Sequence, residues 1–531
     1  MRKAFFKITG RFFYRPFVLT ILDGFGIAPS GPGNAVAIAK MPFWRSILKK
    51  YPYTELAAHG EAVGLFHGAD GNSEAGHINL GAGRIVEQDL LIVSKMIKDG
   101  TFFRNPAFLQ AIKHIKKNKS NLHLMGLLTG ENSAHAHPEH LDALIELCRR
   151  QKIKNIYLHL FTDGRDSPPY DGYNFLHKLI GKIDAKSEHI ATIIGRFYGM
   201  DRKKEWGRTK KAYDALIFGS GIKDNDALHA IEESYARGRS DEFIKPITIL
   251  ENNAILPRIA DNDAVIFFNA RSDRARQLTK AFIQMDFNKD NPDSFKRKKI
   301  LKNFLFVALT DFGPDLPNLL TAYPSPDIKA TLPMELADLR QLYIAETDKY
   351  GHMTYFFNGG YAHPVGGEDR ILVRSPRVMS YDATPNMAAA EITELIIKNI
   401  KGEIYDFFGI NFANPDMLGH TGNLTAAIKG LEFVDRCLKK ISEEVVVKRN
   451  GWLVIVADHG NVEEMIDQTT GKVDTEHSIF PVPFILIGPD EVVGKIKLRS
   501  KGILADVAPT ILYLLKKDKP PEMTGRNLIM T

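Results

Sequence analysis

Several segments of this sequence carry acids and imidazoles of the kind that bind metal ions. Asp416-Met417-Leu418-Gly419-His420 sets a carboxylate and an imidazole at i and i+4, which on a helix share one face. Asp458-His459 follows an apolar run, and His477 stands just before Pro481-Val482-Pro483. Asp23 lies in Asp23-Gly24-Phe25-Gly26, where glycines let other groups approach the acid. A mixed Asp/His set suits Mn²⁺ or Zn²⁺ better than Ca²⁺, which prefers oxygen alone. The set is large enough for two ions, as in phosphoryl-transfer sites. Taken singly, Asp-x-x-x-His is usually a helix-surface pair and Asp-His a turn. Their joint placement after apolar runs is what points to metal.

Gly71-Asn72-Ser73-Glu74-Ala75-Gly76-His77 puts a serine among small residues. A serine hydroxyl is a poor nucleophile unless a base or a metal activates it. Bound cations would lower its pKa and neutralise phosphate charge. The plainer reading makes Ser73 a helix N-cap with Glu74 in the first turn. The two are compatible, because a helix N-terminus also favours a phosphate.

The middle of the chain carries a different chemistry. Gly164-Arg165-Asp166, Gly195-Arg196, Asp201-Arg202 and Arg271-Ser272-Asp273-Arg274 place arginines beside turn residues, and His135-Ala136-His137 adds imidazoles. Guanidinium groups bind phosphate and carboxylate bidentately. Surface ion pairs are the ordinary use of any single arginine. Here they alternate with acids and form no basic stripe, which favours a small polyanion over nucleic acid. Lys349, in Glu346-Thr347-Asp348-Lys349-Tyr350, adds one more cation.

These residues need elements to position them. Phe17 to Leu22 is apolar and ends at Asp23; Ile404 to Phe412 leads to Asp416; Trp452 to Ala457 ends at Asp458. Runs apolar on both faces read as central parallel strands covered by helices, and in such sheets chemistry collects at strand ends. Helical stretches such as Pro138 to Gln151 and Ala426 to Lys440 alternate with them, which argues for an α/β architecture. The charge run Lys296-Arg297-Lys298-Lys299 reads as a solvated loop, since no aromatics interleave closely with it.

Composition bounds the rest. With 531 residues, length alone allows roughly three to four domains or two large ones. At 44% hydrophobic and 25% charged, the chain excludes general disorder, collagen and coiled coil. Its net charge of +7 is mild for this length. Two cysteines, Cys148 and Cys437, exclude a disulfide framework and fit a reducing, cytoplasmic setting. No uncharged apolar run approaches 18 residues, so no membrane helix is expected. The stretch from Met1 to Leu22 has basic residues and no acid, but its apolar run is too short for a signal sequence. It reads as an extension feeding a first strand.

The motifs above, with Thr162-Asp163-Gly164-Arg165-Asp166, Phe268-Asn269-Ala270-Arg271, Ala457-Asp458-His459-Gly460-Asn461 and Leu504-Ala505-Asp506-Val507-Ala508-Pro509-Thr510, resemble cofactor-independent phosphoglycerate mutases of the alkaline phosphatase superfamily. They occur in the family's order from about residue 18 to the end. The resemblance implies an α/β fold of two domains. An alkaline-phosphatase-like metal domain with a largely parallel sheet would be split over residues 1–87 and 324–531. An α/β phosphotransferase domain, residues 88–323, would be inserted between. It implies interconversion of 3-phosphoglycerate and 2-phosphoglycerate through a phosphoserine, with two Mn²⁺ or other divalent ions, in a monomer that binds neither nucleic acid nor membrane. Ser73 would be the nucleophile. Asp416, His420 and His477 would hold one ion, and Asp23, Ser73, Asp458 and His459 the other. His135, Arg165, Asp166, Arg196, Arg202, Arg271, Arg274 and Lys349 would bind substrate, with Asp166 and Lys349 also in the chemistry. A clamp of the two domains would retain glycerate and exclude water. The chain departs from the family at Thr129-Gly130-Glu131-Asn132-Ser133-Ala134, one residue longer than the usual Ser-Asp-Gly-Gly-Val, so His135 or His137 fills the family's histidine position. A metal-dependent phosphatase or another phosphomutase of the superfamily is the alternative, and a non-enzymatic nucleic-acid binder the more distant one.

Overall fold

The computed structural model describes residues 6–8, 11–13, 16–313, 315–316, 319–324, 327–467 and 470–530. The chain divides into two compact units, Met1–Gln88 with Asp327–Thr531, and Asp89–Pro326.

The first unit is built on an eight-stranded sheet. Its order is Asp369–Val373, Gln341–Glu346, Phe407–Phe412, Phe17–Leu22, Trp452–Val456, Val482–Ile487, Tyr53–Ala57, Lys501–Ile503. The first five strands are parallel, and Val482–Ile487 runs antiparallel to both its neighbours. The three apolar runs read from the sequence are therefore adjacent, with Phe17 opposite both Phe407 and Trp452. All residues of the three strands Phe17–Leu22, Phe407–Phe412 and Trp452–Val456 are buried, because helices such as Ala389–Lys401 and Leu424–Ser442 pack on the sheet. The latter helix runs beyond the predicted Ala426 to Lys440 and starts at Asn423, whose side chain caps Ala426 N at 3.1 Å. Parallel strands end on one edge, so Asp23, Asp416 and Asp458 are delivered to the same place from distant sequence.

The second unit has a nine-stranded sheet. Glu188–Gly195, Ile156–Thr162, Leu122–Leu128, Ala264–Phe267, Leu305–Thr310 and Leu320–Tyr323 are parallel in that order, and Ile247–Glu251 pairs antiparallel with Glu188–Gly195. Asp163 and Arg196 follow directly on strands Ile156–Thr162 and Glu188–Gly195, again at carboxyl ends. In the charge run, Arg297 departs from the solvated loop expected of it. It donates to the carbonyls of Ala281 (3.3 Å) and Met285 (3.0 Å) and lies over the Phe287 ring. Of the N-terminal extension, Phe6–Ile8 and Arg11–Phe13 pair antiparallel. Among the described residues, no helix is long and apolar enough to cross a membrane.

A buried polar relay crosses this second sheet. His123 Nε2 lies 3.2 Å from Asp263 Oδ2, His123 Nδ1 3.0 Å from His159 Nε2, and His159 Nδ1 2.9 Å from Thr192 Oγ1. Donors and acceptors match throughout with both imidazoles neutral and the proton on Nε2, His159 Nδ1 then accepting from the Thr192 hydroxyl. Burial lowers the proton affinity of His123, outweighing Asp263. Burial lowers that of His159 well below its ordinary value, with His123 and Arg258 adding to it. Their folded pKa values thus lie below the unfolded value of about 6.5, so the unfolded chain binds more protons as the pH falls. The stability they contribute is complete above about pH 6.5 and is lost below it, at about 1.4 kcal/mol per pH unit for each imidazole. In calorimetry between pH 7.5 and 5.0, parent stability should fall more steeply than that of His159→Gln; equal slopes would remove the relay from the pH dependence.

Candidate active site

Ser73 opens the helix Ser73–Ala82 in the first unit. The N-cap is Asn72, not Ser73: Asn72 Oδ1 accepts from Ala75 N at 2.8 Å. The serine hydroxyl, relieved of capping, points into a buried polar cluster. Ser73 Oγ is 3.2 Å from Asp23 Oδ1, 2.9 Å from His459 Nε2, and accepts from Lys349 Nζ at 2.7 Å. Gly24, at φ +73°, brings the Asp23 turn against Asp416; a Cβ there would lie 2.7 Å from Asp416 Cα.

Beside the serine, Asp416 Oδ1 is 3.3 Å from His420 Nε2 and 3.2 Å from His477 Nε2, and the two imidazole nitrogens are 3.1 Å apart. His420 Nδ1 faces the Thr475 carbonyl at 2.7 Å and His477 Nδ1 the Gly71 carbonyl at 2.8 Å. Carbonyls only accept, so both Nδ1 atoms carry the proton, and both Nε2 atoms are the ones available to a metal beside Asp416. That is how a protein orients imidazoles for a metal. The field of Asp416 raises the proton affinity of His420 against its burial, whereas burial and His459 lower that of His477.

The second centre lies across the serine. His459 Nε2 is 3.5 Å from both Asp23 Oδ1 and Asp458 Oδ2. Asp458 Oδ2 is buried and has no hydrogen-bond partner among the described residues; His77 Nδ1 lies 3.1 Å away but bonds the Ser73 carbonyl. An orphaned carboxylate oxygen of this kind fits a cation. His459 also reaches the first centre: Asp416, His459 and His477 offer ligand atoms all within 4.8 Å of one another. So do Asp23, His77 and Asp458. The two sets of ligands are therefore less separate than the sequence reading has them.

Lys349 lies in the first unit, with Nζ 2.6 Å from both Asp23 Oδ1 and Asp416 Oδ2. Burial opposes its charge, but Asp23, Asp416 and Asp458 outweigh burial and hold it protonated. In return Asp23 and Asp416, although fully buried, are held well below the carboxylate range by Lys349 and the neighbouring imidazoles.

The arginines gather in the second unit. Arg196, 1% exposed, pairs with Asp163 Oδ1 and with Asp166 Oδ1 at 2.9 Å, while its Nε has no hydrogen-bond partner among the described residues. Arg202 and Arg271 both pair with Asp273. Arg274 is pushed down to about 10 by burial and by Arg196, Arg202 and Arg165. Guanidiniums that depress one another form a site that an anion would relieve. His135 lies among them, 4.0 Å from Asp273, and burial with Arg196 pushes it down to about 3, so it is neutral at pH 7. His137 lies instead beside His140, with ring centroids 5.5 Å apart, in the field of Glu139 and Glu131.

Sequence reading passed over four supporting residues. His77, four residues after Ser73 on its helix, sets Nδ1 2.9 Å from the Ser73 carbonyl and 3.1 Å from Asp458 Oδ2. Asn411 donates to Asp23 Oδ2 at 2.8 Å and contacts His77 Nε2 at 3.0 Å. Asn461 donates to Asp416 Oδ1 at 3.1 Å. Ser133 donates to Asp166 Oδ2 at 2.7 Å and accepts from His135 N at 3.1 Å. The i+4 spacing signals His77, and a lone amide within an apolar strand signals Asn411.

A buried serine hydroxyl among clustered lone pairs, at the carboxyl edge of a largely parallel sheet, is equipment for phosphoryl transfer. Fold and site together place the chain among the metal-dependent enzymes of the alkaline phosphatase superfamily. Residues 93–313 match the family model described as BPG-independent PGAM N-terminus. A 2,3-bisphosphoglycerate-independent phosphoglycerate mutase of Chloroflexus aggregans is 46% identical over 536 residues, covering 97% of this chain and 99% of that protein. One from Clostridium perfringens is 46% identical over 518 residues, with the same coverage. A solved phosphoglycerate mutase of Leishmania mexicana, described at low cobalt concentration, has a TM-score of 0.79 at 30% identity and covers 98% of both chains. This chain belongs to the 2,3-bisphosphoglycerate-independent phosphoglycerate mutase family.

Proposed function

We propose that the chain interconverts 3-phosphoglycerate and 2-phosphoglycerate without added 2,3-bisphosphoglycerate, as a cytoplasmic, monomeric enzyme of glycolysis and gluconeogenesis. The observation that carries this reading is the Ser73 hydroxyl, held 2.9 Å from His459 Nε2 and 2.7 Å from the Lys349 ammonium. Asp416, His420 and His477 would hold one Mn²⁺, and Asp23, Ser73, Asp458 and His459 a second. Bound there, such ions lower the hydroxyl pKa and neutralise phosphate charge.

Ser73 Oγ attacks phosphorus, and the bond from phosphorus to the glycerate oxygen breaks. Lys349 faces the charge that accumulates on the oxygens in flight. The freed glycerate oxygen takes a proton, and the neighbouring glycerate hydroxyl gives one up when it attacks phosphoserine and returns Ser73. Asp166, anchored by Arg196 and Ser133, is the group assigned to that proton. Arg165, Arg202, Arg271 and Arg274, with neutral His135, hold the carboxylate and hydroxyls of glycerate so that it is retained between the two steps.

An enolase-coupled assay with 3-phosphoglycerate and no bisphosphoglycerate tests this directly. Turnover should appear with Mn²⁺, vanish with chelator and return on adding the ion. Release of inorganic phosphate in place of 2-phosphoglycerate would make the enzyme a phosphatase.

A further inference from the structure

Glu463 is not among the residues assigned to the metals, yet the loops that bear them meet on it. It is 1% exposed and stands five residues after Asp458, in the loop that leaves strand Trp452–Val456. Its Oε2 accepts from Gly26 N at 2.8 Å and from Asn461 N at 2.9 Å, and its Oε1 accepts from the Ser478 hydroxyl. Gly26 lies three residues beyond Asp23, Asn461 two beyond His459, and Ser478 directly after His477. Through its side chain Asn461 extends the connection to Asp416 Oδ1 at 3.1 Å. One carboxylate thus touches three of the ligand-bearing segments and reaches a fourth, that of Asp416, through one amide. Gly26 leaves room for it: a Cβ there would lie 2.2 Å from Glu463 Oε1.

We propose that Glu463 is a positioning residue that preassembles both metal centres. This rests on the metal reading given above. Without the carboxylate, the N–H groups of Gly26 and Asn461 lose a buried acceptor, and the loops bearing Asp23, His459 and His477 lose their shared anchor. Each unpaired donor costs free energy, and four ligand segments must then be ordered by the ion itself. Outer partners of this kind typically set metal affinity by about 10- to 100-fold. Glutamine can replace the carboxylate in kind. Its carbonyl can take the two backbone donors while its amide N–H donates to Ser478 Oγ, which as a hydroxyl can accept.

Titration of metal-free full-length protein with Mn²⁺, read by the electron paramagnetic resonance of the free ion, tests the proposal. Glu463→Ala should bind Mn²⁺ about 10- to 100-fold more weakly, and Glu463→Gln within about threefold of the parent. Turnover of Glu463→Ala should recover toward the parent kcat at saturating Mn²⁺, because Glu463 touches no reacting atom. Should Glu463→Ala fail to fold, Ser478→Ala removes one of the three contacts and should still weaken binding. Parent-like Mn²⁺ affinity in a folded Glu463→Ala, or in Ser478→Ala where it stands in, overturns the role of Glu463. A parent that binds no Mn²⁺ overturns the metal reading itself.

Discussion

Ser73→Ala is expected to lower kcat by on the order of 10⁵-fold or more, the scale of losing a covalent nucleophile. Among the described residues the groups bonded to Ser73 Oγ are the Asp23 carboxylate, the His459 imidazole and the Lys349 ammonium, none of them a hydroxyl. The fold should survive, because Lys349 keeps its pairs with Asp23 and Asp416, and the helix keeps its Asn72 cap. Loss of turnover would then report chemistry and not collapse. Acid quenching of the parent with substrate labelled in its phosphate should leave label on the protein, and the same quench of Ser73→Ala should leave none. Turnover near the parent rate in Ser73→Ala would refute the phosphoserine route.

The residues that could be read from the sequence are those whose chemistry is conspicuous at strand ends. Asp23, Asp416 and Asp458 each follow an apolar run, and a buried parallel strand leaves just that trace, since both faces of the sheet must be apolar. The sheet order is less legible. Nothing local in Phe17–Leu22 says that its neighbours come from around residues 410 and 455; that pairing is a long-range outcome of packing. The division of labour among ligands is hidden for the same reason. His459 is adjacent to Asp458 in sequence, yet its ring also lies against His477, with centroids 4.0 Å apart. Lys349 shows the limit most clearly. By its local sequence it reads only as one more cation beside the arginines, and the fold seats it between Asp23 and Asp416. Glu463 leaves no signal either, because an acid near a turn is normally solvated.

Arg196→Met is expected to destabilise the second unit by about 3–5 kcal/mol, the cost of breaking a buried ion pair from one side. Arg196 and Asp163 are each 1% exposed, and the guanidinium is the only cation paired with Asp163 among the described residues. Asp163 would keep the hydroxyls of Thr129 and Ser167 and the N–H groups of Arg165 and Asp166. These solvate the carboxylate without neutralising it. Methionine fills much of the arginine stem's volume, so the loss should be electrostatic more than steric. Adding Asp163→Asn removes the stranded charge, and the double variant should recover most of the stability in urea unfolding. Turnover should not recover with it. Arg196 also anchors Asp166 at 2.9 Å, and its Nε lies unpartnered among the residues assigned to glycerate. The two readouts therefore separate: stability follows the pairing with Asp163, and turnover follows the guanidinium itself. An Arg196→Met variant as stable as the parent would contradict the first, and a double variant with parent-like turnover would contradict the second.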